Sequence, residues 1–356
     1  MRKYTLKYLC ITFLLILFAS ISRAQDVSFS QNYASPLYLS PSFTGLTEGS
    51  RLAINYRDQW PSIPQTYRSM SVSFDHYFAD YNSGLGFLYV RDDQQKGALV
   101  NQNIGLLYAY EVYVSRNIMI RPGIQFKFNQ SFIDLSKTLF ERGIDENTGR
   151  PVDYTGISLA DNQLNKFDAA ASVMIYSNLY WAGISVDHLV KNSKSFSEIL
   201  PVDGTKITLF GGYKWVYKEG RRKSPDQSVT FAFNYRQQDY FSQLDFGAYW
   251  QYNPLELGLW YRGIPTKNKE QLSNNDAIIA LFGIHLGRTR VGYSYDLTLS
   301  DLAGNTGGAH EISILYTIPS SNKPRINRNA IPCSQPGYWN AGPSRSKYRG
   351  RSRRIF

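Results

Sequence analysis

The sequence predicts an all-β fold, an antiparallel transmembrane β-barrel of about fourteen strands, and three observations point there. Apolar and polar residues alternate along strand-length segments through the body of the chain. After residue 24 no uncharged apolar run reaches the roughly 18 residues of a spanning helix, which excludes helical spans. Aromatic residues make up 15% of the chain, with 27 Tyr and 6 Trp, a composition suited to the interfacial girdles of membrane barrels.

The alternation is plainest in 228–252. Val229, Phe231, Phe233 and Tyr235 share one face of an extended chain, opposite Thr230, Ala232, Asn234 and Arg236. Leu244, Phe246, Ala248, Trp250 and Tyr252 then oppose Gln243, Asp245, Tyr249 and Gln251. In 118–129, Ile118, Ile120, Ile124 and Phe126 oppose Arg121, Gln125 and Lys127; in 290–299, Val291, Tyr293 and Leu297 oppose Arg290, Ser294 and Asp296. Near the end, Ile312, Ile314 and Tyr316 oppose Glu311, Ser313 and Thr317. Strand side chains alternate between faces. A polar face bearing Arg, Lys, Asp and Glu suits a wet lumen, so the apolar face meets lipid, as in an outer-membrane barrel.

Taken in order, residues 1–24 read as a secretory signal peptide. Arg2, Lys3 and Lys7 precede an apolar run from Leu9 to Ala19, and Ser22-Arg23-Ala24 offers a cut before Gln25. Cys10 lies inside that leader, which leaves Cys333 alone and allows neither an intramolecular disulfide nor a thiolate zinc cage. In 25–50, Pro36, Pro41 and Gly45 oppose any strand ladder. The apolar residues Phe29, Tyr33, Leu37 and Phe43 predict packing against the periplasmic mouth or partly into the lumen.

The barrel is expected over 51–318, with strands at 51–57, 68–79, 82–92, 98–112, 116–130, 165–177, 179–190, 204–217, 227–237, 240–252, 254–262, 276–286, 288–299 and 308–318. Tight turns at Asp80–Tyr81, Ser115, Asn178, Asn253 and Gly287 alternate with longer connections at 58–67, 131–164, 191–203, 263–275 and 300–307. Short periplasmic turns and long external loops are the pattern of outer-membrane barrels; Gln238–Asp239 and 218–226 depart from it. An even strand number places both termini in the periplasm. Trp60, Trp181, Trp215, Trp250 and Trp260 lie near strand ends, where a girdle belongs.

The formal net charge is +11, yet it is segregated. The leader carries +4 and the stretch from Pro319 to Phe356 carries +9 without one acid, which leaves −2 on 25–318. A near-neutral body excludes a nucleic-acid-binding role for the whole protein. The tail, 319–356, has no strand or helix period. Arg345, Lys347, Arg349, Arg351, Arg353 and Arg354, with Tyr338 and Trp339 as an aromatic anchor, read as a periplasmic arm for an acidic partner or the headgroups of outer-membrane lipid.

Little in the sequence carries chemistry. The four histidines are His76, His188, His285 and His310. Asp75-His76 and Asp187-His188 are sequence neighbours, and neighbours on a strand point to opposite faces, so no base and orienter can be assembled from them. Residues 143–150, GIDENTGR, have the wrong glycine position and no closing Glu for a calcium loop. Gly84-x-Gly86 sits within a strand and is no phosphate loop; its glycines ease curvature or leave space inside. The expectation is a protein without catalysis, cofactor or metal.

Two stretches go beyond pattern. QDVSFSQNYASPLYLSPSFTGL at 25–46, with Pro36, Pro41 and Gly45, is followed by NYRDQW at 55–60, with Tyr56, Arg57, Gln59 and Trp60. Together they resemble the PorP/SprF family of type IX secretion system outer-membrane proteins from Bacteroidetes-type bacteria. Ser40 stands where that family is expected to have Asn before the proline. The resemblance implies an outer-membrane barrel subunit that works with periplasmic and outer-membrane secretion components and peptidoglycan-linked lipoproteins. It implies export or surface attachment of adhesin-like proteins, including those of gliding motility. The alternative from another class is a porin or FadL-like transporter of small solutes, its pore lined by Arg121, Lys127, Asp245, Arg290 and Asp296.

Overall fold

The computed structural model describes residues 26–47, 49–63, 66–115, 117–134, 163–190, 204–218, 227–238, 241–264, 275–299 and 306–319. Its strands are β1 (Gly49–Gln59), β2 (Tyr67–Phe78), β3 (Ser83–Gln94), β4 (Leu99–Tyr110), β5 (Val112–Tyr113), β6 (Met119–Ile133), β7 (Gln163–Tyr176) and β8 (Tyr180–Asp187). They continue as β9 (Lys206–Lys218), β10 (Gln227–Gln238), β11 (Phe241–Tyr252), β12 (Leu255–Gly263), β13 (Asn275–Leu286), β14 (Thr289–Thr298) and β15 (Ala309–Pro319). Neighbours in sequence pair antiparallel, β4 pairs with β6, and β1 pairs with β15 from Gly49 opposite Pro319 to Gln59 opposite Ala309. The sheet is therefore closed.

β4 and β5 are two pieces of one wall strand, and both pair with β6. The break falls at Glu111, whose buried carboxylate accepts from Arg121 Nη1 and from the Tyr176 hydroxyl, each at 2.6 Å. Counted that way the wall has fourteen strands. Every expected strand is present, with ends shifted by a few residues. β8 stops at Asp187 because His188 takes a φ of +57°, which extended pairing does not tolerate.

Parity along the strands is as the alternation predicts. Phe231, Phe233, Phe246, Trp250, Ile312 and Ile314 are exposed on the outside, while Thr230, Asn234, Asp245, Glu311 and Ser313 are buried inside. No helix among the described residues is long and apolar enough to cross a membrane; the strands do that here.

The expected girdle needs correction. Trp215 and Trp250 face outward, and Trp250 Nε1 donates to Tyr217 Oη at 2.9 Å. Trp181 and Trp260 instead face inward and are only 2% exposed. Gly212 and Gly247 leave the room their indoles fill: a Cβ at either would meet Trp181 at 2.4 Å or Trp260 at 2.5 Å.

The two rims differ. One carries the connections 79–82, 114–118, 177–179, 219–226, 253–254 and 287–288; the other carries 60–66, 95–98, 134–162, 188–205, 239–240, 264–274 and 299–308. They are called the short-turn rim and the long-loop rim below.

Candidate functional site: a filled lumen

The sequence suggested a wet lumen, and the structure corrects this. Residues 26–47 run through the barrel from the long-loop rim to the short-turn rim. Prolines shape that path. Pro36 opens the one-turn helix Pro36–Leu39 and Pro41 opens the 3-10 turn Pro41–Phe43, each at a position where a missing N–H costs nothing.

An apolar core then forms inside the barrel. Tyr33 packs edge-on to Trp181 at 5.6 Å and to Tyr249 at 6.4 Å, and lies 6.1 Å from Trp260. Phe43 stacks at a tilt on Phe210 at 5.2 Å. Leu37 joins Leu88, Val90 and Leu107 on the opposite wall. Aromatic contacts of this kind add about 0.5–1.5 kcal/mol each beyond area burial.

Around this core the inward charges alternate in sign. Glu311, Arg57, Asp296, Arg262, Asp245 and Arg236 form a continuous chain, with closest N–O distances of 3.4, 2.8, 3.0, 3.1 and 2.6 Å in that order. Ser30 docks on it. Its N–H donates to Glu311 Oε2 at 2.6 Å, its hydroxyl donates to Asp296, and the same oxygen accepts from Arg57 and Arg262. Gln31 N–H donates to Glu311 Oε1 at 3.1 Å, and Asn32 Nδ2 reaches Asp245 at 3.4 Å.

The proposed pore residues are therefore committed elsewhere. Arg121 pairs with Glu111, Arg290 pairs with Glu256 at 2.6 Å, and Lys127 pairs with Asp168 and Asp187. All five are buried. Burying charge requires pairing of this kind, because an isolated ion in the interior costs several kcal/mol.

At the short-turn rim the segment is pinned by close backbone approach. Gly45 has φ +65°, and its N–H donates to Asp75 Oδ2 at 2.7 Å. That Asp75 also binds Arg51 at 3.0 Å, and Arg121 donates to the Thr44 carbonyl. A Cβ at Gly84 would lie 2.3 Å from the Thr44 oxygen, so Gly84 leaves space for the segment itself.

At the long-loop rim the anchor is ionic. Asp26 pairs with Lys206 and lies 3.0 Å from His188 Nε2, while His188 Nδ1 lies 2.6 Å from Asp168. The positive φ at His188 turns its ring into the lumen beside Asp187, so these neighbours do not face oppositely as expected. Burial disfavours the imidazolium, but the Asp26 and Asp168 carboxylates outweigh it and hold His188 protonated, its pKa raised to about 10. Burial opposes ionisation of Asp26 as well, and Lys206 and His188 nonetheless bring its pKa well below the usual carboxylate range.

Asp26, Asp187 and His188 have donor atoms within 4.8 Å of one another, close enough in spacing for a metal. The three carboxylates there, Asp26, Asp168 and Asp187, face Lys127, Lys206 and His188 and form an ion-pair cluster with them. Asp75-His76 does follow parity: Asp75 is buried inside, and His76 turns away to meet Ser50 Oγ at 2.8 Å.

The family residues divide by parity too. Arg57 points inward to the ion chain and donates to Gln59, Tyr56 is exposed outward, and Trp60 packs edge-on to Tyr67 at 5.5 Å. Trp60 N–H donates to the Gly308 carbonyl at 2.8 Å, tying β1 to the start of β15. Tyr338, Trp339 and the tail arginines, Cys333, the 143–150 loop and the leader lie outside the described residues. Spacing alone could not have found the Ser30 and Asp26 contacts, since their partners lie 281 and 162 residues away.

A closed fourteen-strand barrel with an apolar outer face, and a lumen filled by its own N-terminal segment, defines an outer-membrane β-barrel protein. The family described as "Type IX secretion system membrane protein PorP/SprF" matches residues 21–316, and the chain belongs to it. Among solved structures it is similar to the Pseudomonas putida toluene transporter TodX, at 8% identity and TM-score 0.47, covering 79% of this chain and 93% of that one. The CymD monoaromatic hydrocarbon channel is similar at 10% identity and TM-score 0.49, with 81% and 94% covered. A Pseudomonas aeruginosa FadL homologue is similar at 11% identity and TM-score 0.41, with 80% and 94% covered. No curated protein sequence matches the chain.

Proposed function

We propose that this protein serves type IX secretion as a non-conducting, non-catalytic docking subunit, which holds exported adhesin-like proteins, including gliding adhesins, at the outer membrane. The observation that carries this reading is the lumen, threaded from rim to rim by residues 26–47 with its inward charges paired. Membership of the secretion family supports partnership with other secretion components; peptidoglycan-linked lipoproteins are the periplasmic partners expected.

With long connections outside, as outer-membrane barrels have them, Gly49 and Pro319 lie at the periplasmic rim and Asp26 at the outer rim. The N-terminal segment then crosses the barrel rather than resting at its periplasmic mouth. The basic tail enters the periplasm, where it suits an anionic partner. Its attraction is screened over about 8 Å at physiological salt, so docking weakens as salt rises.

Two measurements test this. Single-channel recording of purified protein should be silent; a steady open-pore current would favour the porin or FadL-like alternative. Co-purification from native outer membranes should retain secretion components and an exported protein. Loss of these on deleting 320–356, with barrel insertion intact, would assign the tail its docking role. Full-rate secretion without the tail would remove it.

A further inference from the structure

On the lipid-facing side, the sector β2–β3–β4–β6–β7 is layered. Register places Phe74, Phe87, Leu106 and Phe126 in one row across β2–β3–β4–β6. The next row toward the long-loop rim holds Val72, Tyr89, Ile104, Phe128 and Phe167. Above it the composition changes abruptly to Met70, Arg91, Gln102, Gln130 and Asn165, and then to Arg68, Asp93, Val100, Phe132 and Gln163. Polar side chains therefore sit on lipid-facing pleats directly above some of the most exposed apolar residues of the barrel: Phe167 is 74% exposed, Leu106 65% and Phe126 64%.

The boundary is concave. A cavity of about 640 Å³ opens there, lined by Arg68, Arg91, Lys96, Gln102 and Gln130 among others, with Asp93 and Asp134 the acids. The charges are unequally used. Arg91 is clamped on Asp93 by two contacts, Nε at 3.1 Å and Nη2 at 2.9 Å. Arg68 is 3.8 Å from Asp58 with its side chain 56% exposed. Lys96 is exposed at the tip of the Gln95–Gly97 turn. Arg68 and Lys96 are thus the lining cations held less tightly than Arg91 is by Asp93. The amides beside them are arranged as a row: Tyr89 donates to Gln102, and both Gln130 and Gln163 donate to Asn165.

We infer that this cavity binds the headgroup of a phosphorylated glycolipid of the outer leaflet. Its phosphate meets Arg68 and Lys96, and its sugar hydroxyls meet the Gln102–Gln130 row. Its acyl chains run down over Ile104, Leu106, Phe126 and Phe167. Cations beside amides suit a phosphate joined to hydroxyls, and the apolar rows below require an amphiphile rather than a free ion. The assignment of leaflet rests on the orientation given under Proposed function.

The test is native mass spectrometry of the full-length protein in detergent, titrated with diphosphoryl lipid A. Wild type should retain it, and Arg68→Gln with Lys96→Gln should bind at least tenfold more weakly while keeping heat-modifiable migration. Lys218→Gln, at the other rim, should bind as wild type. Equal binding by the double variant, equal retention of dephosphorylated lipid A, or occupancy by inorganic phosphate alone would overturn the site. Preference for phosphatidylglycerol over lipid A would overturn the glycolipid. Labelling of an epitope placed within 135–162 on intact cells reports the orientation independently.

Discussion

Glu311 on the last strand accepts backbone hydrogens from both Ser30, at 2.6 Å, and Gln31, at 3.1 Å. One carboxylate thereby satisfies two consecutive N–H groups of a segment that lacks sheet partners. Its other neighbours are Arg57 at 3.4 Å and Asn55 at 3.4 Å.

Removing that acceptor should loosen the lumen segment. Glu311→Ala strands two buried donors and unbalances Arg57, and each unsatisfied group costs about 1–3 kcal/mol. A folding titration in lipid vesicles should show a loss of about 3 kcal/mol or more. Glu311→Gln, which keeps acceptor capacity, should lose less. Wild-type stability in the alanine variant would show that Ser30 and Gln31 are held by other means.

The faces of β11 give a second test. Phe246 is exposed to lipid, and Phe246→Arg should cost about 2–4 kcal/mol near the midplane. Asp245, one residue away, looks from the alternation alone like a tolerant lumen position. The structure says otherwise, because Asp245 bridges Arg236 at 2.6 Å and Arg262 at 3.1 Å. Asp245→Arg should therefore cost at least about 3–5 kcal/mol, the loss seen when one partner of a buried pair is removed. A near-neutral Asp245→Arg in the same titration would disprove the ion chain.

Gly84 controls closure at the short-turn rim. A side chain there would collide with the Thr44 carbonyl at 2.3 Å, and overpacking costs about 1–3 kcal/mol. Gly84→Leu should push residues 44–45 aside without touching the wall pairing. Single-channel recording should then show openings that wild type lacks, and protease should cut the displaced segment. A silent, resistant variant would mean the segment is held well enough by its other contacts.

The rim cluster predicts a pH dependence with a definite sign. Folding raises the His188 pKa from an ordinary 6.5 to about 10. The stabilisation it contributes is thus complete below pH 6.5 and is lost as pH climbs through about 10. Wild type should lose stability across that window in denaturant titrations, and His188→Gln should be less stable at about pH 6 but flatter. Parallel curves for the two proteins would place the titrating group elsewhere.

Much of this wall was legible because a spanning strand writes its two environments into alternate residues. Phe246 and Asp245 could be sorted from sequence, and so could Ile314 and Ser313. Alternation reports only that two faces differ, however, and is silent on what lies against each. Trp181 and Trp260 carried the composition of a girdle, yet they face Tyr33, because inward aromatics are favourable once something apolar fills the lumen. The polar inner face read as wet because ion pairs such as Arg262–Asp296 join residues on different strands, invisible to any local pattern. His188 escaped because a single positive φ reverses a face assignment. The apolar content of 25–46 did signal packing, but not the partner.

The path of residues 26–47 also bears on how the barrel closes. This segment precedes β1, β1 closes on β15, and the segment is joined to β15 beside that seam. Glu311, Ser313 and Trp60 then act as a register gauge. Gln31 accepts from Ser313 Oγ at 2.6 Å and donates to the Glu311 carbonyl at 3.0 Å, beside the seam where Tyr56 pairs with Ile312. A two-residue slip of that seam preserves lipid and lumen faces alike, so parity cannot reject it. The threaded segment, which reads absolute position along β15, joins Asn55, Arg57 and Trp60 in distinguishing the correct closure from the slipped one.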